Sequence, residues 1–288
     1  MPTPAPISPL RQSRPSPWVQ IAAVVRAEVG RDALSLRALP VYGLALFPVL
    51  LAMGWAALLV VASRETNLGA QLQAYANIYG SFTVPLCVFF GCVSLFMNLF
   101  RGEILDRTLH YYFLTPIRRE WVLAGKYLAG LVTAVPLFAG ATLASLGILY
   151  AVQPREEMLA HLAGSGGGTA GWAYLAIYAG ITALACVGYG AVFLALGLYF
   201  KNPILPGIAL YFWESLNFLL PPFLKSLSII HYLKSLFPIP VSEGPFALPA
   251  EPAPAFLAVA GVLAVAAGAL ALAAWRVRGM EVGYGGGE

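Results

Sequence analysis

Six stretches of this chain are long and apolar enough to cross a lipid bilayer, and no other feature limits its possible folds so sharply. Spanning roughly 30 Å of hydrocarbon takes about 20 residues of helix. The stretches are 41–62, 79–100, 127–151, 172–200, 204–221 and 255–275. Tyr42, Tyr79, Tyr127, Tyr150, Trp172, Tyr199 and Trp275 lie near their ends, where amphipathic rings sit at headgroup level. Pro203, Pro206, Pro221 and Pro222 crowd the fifth stretch and make it the least regular. Charged residues are only 10% of the chain and hydrophobic residues 59%, whereas soluble domains carry about 25% charged residues. A soluble core of this length cannot bury that much apolar surface. The expected class is an all-α, polytopic membrane protein with six transmembrane helices.

The basic residues orient it. Counted from the N-terminus, the odd-numbered segments outside the six stretches hold 13 of the 17 Lys and Arg, and the even-numbered ones hold 4. Cytoplasmic loops are the Lys- and Arg-rich ones. Both termini, and the loop between the second and third spans, are therefore expected in the cytoplasm of a multi-pass cell (inner) membrane protein. The net charge of +4 fits positive-inside loops and a lipid bilayer as partner, and not nucleic acid.

Residues 1–17 hold six prolines and no apolar run, and are expected to be a disordered cytoplasmic tail before a single domain over 18–288. Trp18, Ala22, Val25, Val29, Ala33 and Leu36 then recur at spacings of three and four, with Gln20, Glu28, Arg31 and Ser35 largely elsewhere on the wheel. That pattern predicts an amphipathic helix lying in the membrane interface. On the outer side, GSGGGTAG lacks the Gly-Lys-Ser/Thr ending of a phosphate loop and reads as a flexible connector. Phe223, Leu227, Ile230, Leu233 and Phe237 are spaced for a short amphipathic or re-entrant helix, with Lys225, Ser228 and Lys234 off that stripe. A proline-rich linker leads from it to the last span.

The loop Arg101–Lys126 is a charged island between two apolar runs. Its first half reads as a helix with Ile104, Leu105, Leu109, Tyr112 and Phe113 on one stripe, and Glu103 and Arg107 in the favourable order for an ion pair. Thr115-Pro116 marks a break, Thr115 suiting a helix cap and Pro116 a first helical position. A second helix is expected to carry Arg118, Arg119 and Glu120 and to run through Gly125-Lys126 into the third span.

Glu103, then Thr108-Leu109, Thr115-Pro116-Ile117-Arg118 and Gly125-Lys126 resemble the first cytoplasmic loop of type-2 ATP-binding-cassette (ABC) transporter permeases. The order of an interfacial "elbow" helix, six spans and a membrane-associated helix between spans five and six is similar too. Arg107 stands where that family often has glycine. The resemblance implies a permease subunit of an exporter that holds no cofactor of its own. ATP and Mg would be bound by a separate cytosolic ABC ATPase. A second permease copy, or a similar permease, would complete the pathway. It further implies a coupling helix in the loop, with Glu103, Arg107, Arg118 and Arg119 as polar contacts to the ATPase and Tyr111, Tyr112 and Phe113 as aromatic anchors. For those three rings, packing on the elbow helix or at lipid headgroups is an equal alternative.

Nothing in the chain itself suggests an enzyme. The Gly-Lys-Ser/Thr loop needed to hold ATP is missing. His110, His161 and His231 lie in different segments on opposite sides of the membrane, against a shared metal or acid–base role. Cys87, Cys92 and Cys186 read as small buried residues. Gly188, Gly190 and Gly197, with Ala191 and Ala195, read as close-packing faces of span four. Glu214 is the exception, ten residues into span five and about 15 Å deep. An intramembrane charge is a functional candidate, here for lining the translocation path or anchoring a gate. If span five is short, Glu214 instead lies near the outer interface and pairs with Lys225 or Lys234. A secondary transporter or channel without an ATPase is the alternative function, although no internal repeat or further intramembrane charge favours it.

Overall fold

The computed structural model describes residues 16–32, 38–62, 67–100, 118–164, 170–200, 202, 204–241 and 252–279. These residues are helical, with no β-strand among them. In chain order the elements are α1 (Pro17–Asp32), α2 (Leu39–Val61), α3 (Leu68–Phe100), α4 (Arg119–Ala151), α5 (Arg155–Ala163) and α6 (Gly171–Tyr199). Next come α7 (Ile204–Ser215, continued as a 3-10 turn over Leu216–Leu219), the short α8 (Pro222–Lys225) and α9 (Ile229–Ser235), and α10 (Ala255–Arg278). The tail at 1–15 and most of the loop at 101–117 lie outside the described residues.

Five helices, α2, α3, α4, α6 and α10, are long and apolar enough to span a bilayer. Their outward faces carry Leu58, Val61, Val132, Trp172, Phe256 and Trp275, each more than half exposed. Apolar surface on that scale marks contact with lipid or protein, not water. The expected fifth span, 204–221, is shorter than the five others. Ile204–Leu219 has 12 α-helical and four 3-10 residues, about 26 Å at the usual rises. Pro221 and Pro222 stop it, since proline cannot continue a ladder that needs its amide.

The second span is longer than the apolar run predicted. It begins at Leu68, where the Asn67 side chain accepts the Ala70 amide at 3.3 Å. Leu68, Leu72, Tyr75 and Ala76 bury one face of this added stretch. Gln71, Gln73 and Asn77 dilute its hydropathy, so it read as a loop. From Tyr79 to Val88 the helix widens to π-type around Pro85, which supplies no amide to the ladder.

α6 is the central helix: 72% of its apolar window is buried, against 22% for α2 and 17% for α10. Glycines set its contacts, as the small-residue pattern predicts. A Cβ at Gly190 would come within 2.6 Å of the Phe96 ring, one at Gly197 within 2.9 Å of the Met97 carbonyl, and one at Gly188 within 2.8 Å of Val262. Phe96 also lies 2.4 Å from the Cβ position of Gly130, so its ring is wedged between α4 and α6. All three cysteines are buried free thiols.

α7 to α9 fold back along α6. Ile229 packs beside Gly188, near the middle of α6, and Phe237 reaches Tyr178 and Tyr79 near its far end. The predicted single stripe is broken at Ser228: Phe223 and Leu227 are exposed and Lys225 and Ser228 are buried, while Ile230, Leu233 and Phe237 keep their expected inward side. Two short helices of different phase replace one amphipathic helix. The connector before α6 also holds structure that periodicity did not show. α5 ends on Gly164 in the left-handed region, φ 72°, where glycine carries no Cβ penalty.

Candidate functional site

Two buried charged groups organise the molecule, one at each level of the bundle. The first is at the end where α1, α4 and the last turns of α3 and α10 meet. α1 buries Ile21, Val24 and Glu28 against α4. That face lies about 100° round the helix from the expected stripe, and Trp18 and Ala22 are exposed. The elbow helix thus has two faces, one for the protein and an apolar one turned away from it. Glu28, placed on the polar side by hydropathy alone, is 1% exposed.

Gly125 and Lys126 explain how α1 seats there. A Cβ on Gly125 would lie 2.8 Å from Val24, so only glycine lets α1 come this close. Lys126 is fully buried, ion-paired with Glu28, and donates to the Leu99 carbonyl at 2.9 Å. Its ammonium also sits 5.2 Å from the Phe100 ring centroid. One side chain therefore ties α1, the last turn of α3 and the first turns of α4 together. A buried pair of this kind is held by the cost of leaving either charge alone.

Arg118 is the extended residue before α4 and is exposed. The helix thus starts at Arg119, later than Thr115-Pro116 suggested; those two residues lie outside the described ones. Arg119 donates through Nη1 to the carbonyls of Val277 and Arg278, at 3.4 and 3.0 Å. These are last-turn carbonyls that lack partners within α10. The Arg278–Glu120 bond of 2.7 Å joins the same two helix ends at the surface, where such pairs contribute little. Of the expected docking residues, Arg118 is presented outward and Arg119 clasps α10. Glu103, Arg107, Tyr111, Tyr112 and Phe113 lie outside the described residues.

The second group is Glu214, buried at the end of α7. Its carboxylate accepts from Tyr189 Oη at 3.1 Å, Ser228 Oγ at 3.0 Å, and the amides of Ile229 at 3.1 Å and Ile230 at 2.8 Å. The two amides are the first of α9, which lack partners within their own helix. A carboxylate there also meets the favourable end of the peptide dipoles. Glu214 is thus the cap of α9, supplied from another element. Its partners are hydroxyls and amides and not a lysine, and it joins the middle of α6 to α9.

Beyond Glu214, toward the end of the bundle opposite Lys126, Tyr79, Thr142 and Thr182 link α3, α4 and α6: Tyr79 Oη lies 2.8 Å from Thr182 Oγ1, which lies 3.1 Å from Thr142 Oγ1. Such hydroxyl bonds hold membrane helices together where apolar burial cannot. Among the described residues, no three His, Cys, Asp or Glu cluster as metal ligands. The arrangement is suited to transmitting movement between helices. Glu28 and the capping of α9 escaped sequence reasoning; the available signal was Glu28's spacing of four and seven from Val24 and Ile21. No protein-family model matches the chain, and no curated protein matches it significantly.

Proposed function

We propose that this chain is the membrane-spanning permease subunit of an ABC transporter, an exporter driven by a separate cytosolic ATPase. Two copies, or one with a similar permease, enclose the pathway, with both termini in the cytoplasm of the cell membrane. The observation that supports this reading most is the rooting of the 101–117 loop. It leaves α3 at Phe100 and returns at Arg118, and both roots are fastened by Lys126 to α1. Arg119 fastens the second root to α10 as well. A force applied to that loop enters three helices at once, which is what a coupling element requires. At the other level, Glu214 carries movement of α6 into α9.

The test is co-purification of the full chain with an ABC ATPase from the same cells. Retention of the ATPase, and its loss on Arg118→Glu with Lys126 and Arg119 intact, supports the reading. Substrate transport by the chain alone in liposomes, at the rate of the complex, overturns it.

A further inference from the structure

The last turn of α10 holds an arginine that the rest of the described molecule leaves available. Arg278 is engaged by Glu120, and Arg119 by the carbonyls of Val277 and Arg278. Arg276 is exposed and, among the described residues, meets no carboxylate and donates to no oxygen. Its guanidinium carbon instead lies 5.8 Å from the ring centroid of Tyr199, the last residue of α6, close enough for attraction between cation and ring. That ring is itself fixed, because Tyr199 Oη donates to the Leu272 carbonyl at 3.1 Å. The charge is thus positioned by two helices. A ring attracts the charge but offers no oxygen, so the donors of the guanidinium fork remain for an anion. Leu272 and Trp275 precede Arg276 by four and one residues and are 57% and 70% exposed, which surrounds the charge with bare apolar surface. Arg276 lies two residues from the end of α10, about 3 Å along its axis. That is the level at which interfacial rings such as Trp275 and Tyr199 sit.

We propose that Arg276 binds the phosphate of an anionic phospholipid, with Tyr199 positioning the guanidinium and Leu272 and Trp275 lying against the upper part of an acyl chain. The charge is positive and without a carboxylate among the described residues, so its complement is an anion. It stands at headgroup level, and the surface one turn below it is apolar and exposed, so the anion that fits carries a hydrocarbon tail. A planar guanidinium matches a phosphate through two parallel N–H bonds. α10 is also the spanning helix with the least of its apolar window buried, 17%, which leaves its flank open to lipid. In the proposed orientation this is the inner leaflet. The site requires only that α6 and α10 span the membrane and is independent of the transporter reading.

Native mass spectrometry of the full chain, released from micelles holding equal amounts of phosphatidylglycerol and phosphatidylcholine, provides the test. Phosphatidylglycerol is expected to be retained about fivefold over phosphatidylcholine, the effect of one basic residue on binding to an anionic lipid surface. Arg276→Gln should abolish that preference. Arg278→Gln removes the same charge two residues away and should keep it, because that guanidinium is already engaged by Glu120. Tyr199→Leu should weaken the preference, and Tyr199→Phe, which keeps the ring, should restore most of it. Equal retention of the two lipids, or a preference unchanged by both Arg276→Gln and Tyr199→Leu, overturns the proposal. So does displacement of the phosphatidylglycerol by millimolar inorganic phosphate, which would make the ligand a soluble anion. Efficient disulfide formation between two chains carrying Trp275→Cys would place a second copy over the patch and overturn it as well.

Discussion

Lys126 holds a full charge where water does not reach, and its stability contribution is conditional on Glu28. Removing one partner of a buried pair costs about 3–5 kcal/mol, whereas replacing both by apolar residues is often neutral. Lys126→Met is therefore expected to lower the thermal unfolding temperature in detergent, and Lys126→Met with Glu28→Met to restore most of the loss. Equal loss in single and double variants would mean that the pair is not coupled. Glu214 obeys a stricter rule because four donors converge on it. Glutamine there offers one acceptor oxygen and turns an NH2 group toward other donors. Each amide left without an acceptor costs about 1–3 kcal/mol. Glu214→Gln should lower stability and make the chain around Ser226 and Leu227 more readily cut by protease. Unchanged proteolysis would deny the cap its role. Neither pairing was legible in the sequence, since hydropathy ranks a glutamate as polar wherever it lies. Lys126 was singled out by its place next to Gly125, but only the approach of α1 shows what it binds.

Phe96 shows how elements are fitted to each other. Its ring occupies space left by Gly130 on α4 and Gly190 on α6. Overpacking such a site costs about 1–3 kcal/mol. Gly190→Ala should destabilise the fold, and Phe96→Leu should relieve the clash, giving a double variant more stable than Gly190→Ala. Additive losses in a thermal-shift series would argue against the wedge. At this scale the sequence was informative where apolar runs were unbroken: α2, α4, α6 and α10 lie close to their expected limits. It failed where polarity and geometry part company. Gln71, Gln73 and Asn77 concealed the first turns of α3, while a mostly apolar run over 204–221 concealed a helix of 12 α-helical and four 3-10 residues. The stripe from Phe223 to Phe237 is regular in sequence, yet Glu214 restarts the helix at Ser228 and resets its phase.

As a whole, the described molecule is a bundle around α6 with Lys126 and Glu28 paired at one end and Glu214 capped beside the middle of α6. Arg118 and Ala163 are exposed at opposite ends, one just before α4 and the other the last residue of α5, the helix that follows it. The proposed orientation makes a definite forecast. A thiol reagent that cannot cross membranes should label Ala163→Cys in intact cells and Arg118→Cys only after the cells are opened. Cys87, Cys92 and Cys186 are fully buried and should stay silent. The reverse pattern would invert the topology. Spanning character and the basic end were legible because both are properties of composition along the chain. The clasp of Arg119 on α10 was not, because it joins residues 158 and 159 positions apart.

The borrowed cap of α9 also dictates an order of assembly. A seven-residue helix is too short to form unaided, and its first amides wait for a carboxylate that belongs to α7. That carboxylate is itself positioned by Tyr189. While the chain is being made, α6 must therefore be in place before α7 docks, and α7 before α9 can form. An interval in which Glu214 lies in the bilayer without its donors is built into the birth of every molecule, and that is when a membrane protease or chaperone can tell a finished chain from an unfinished one.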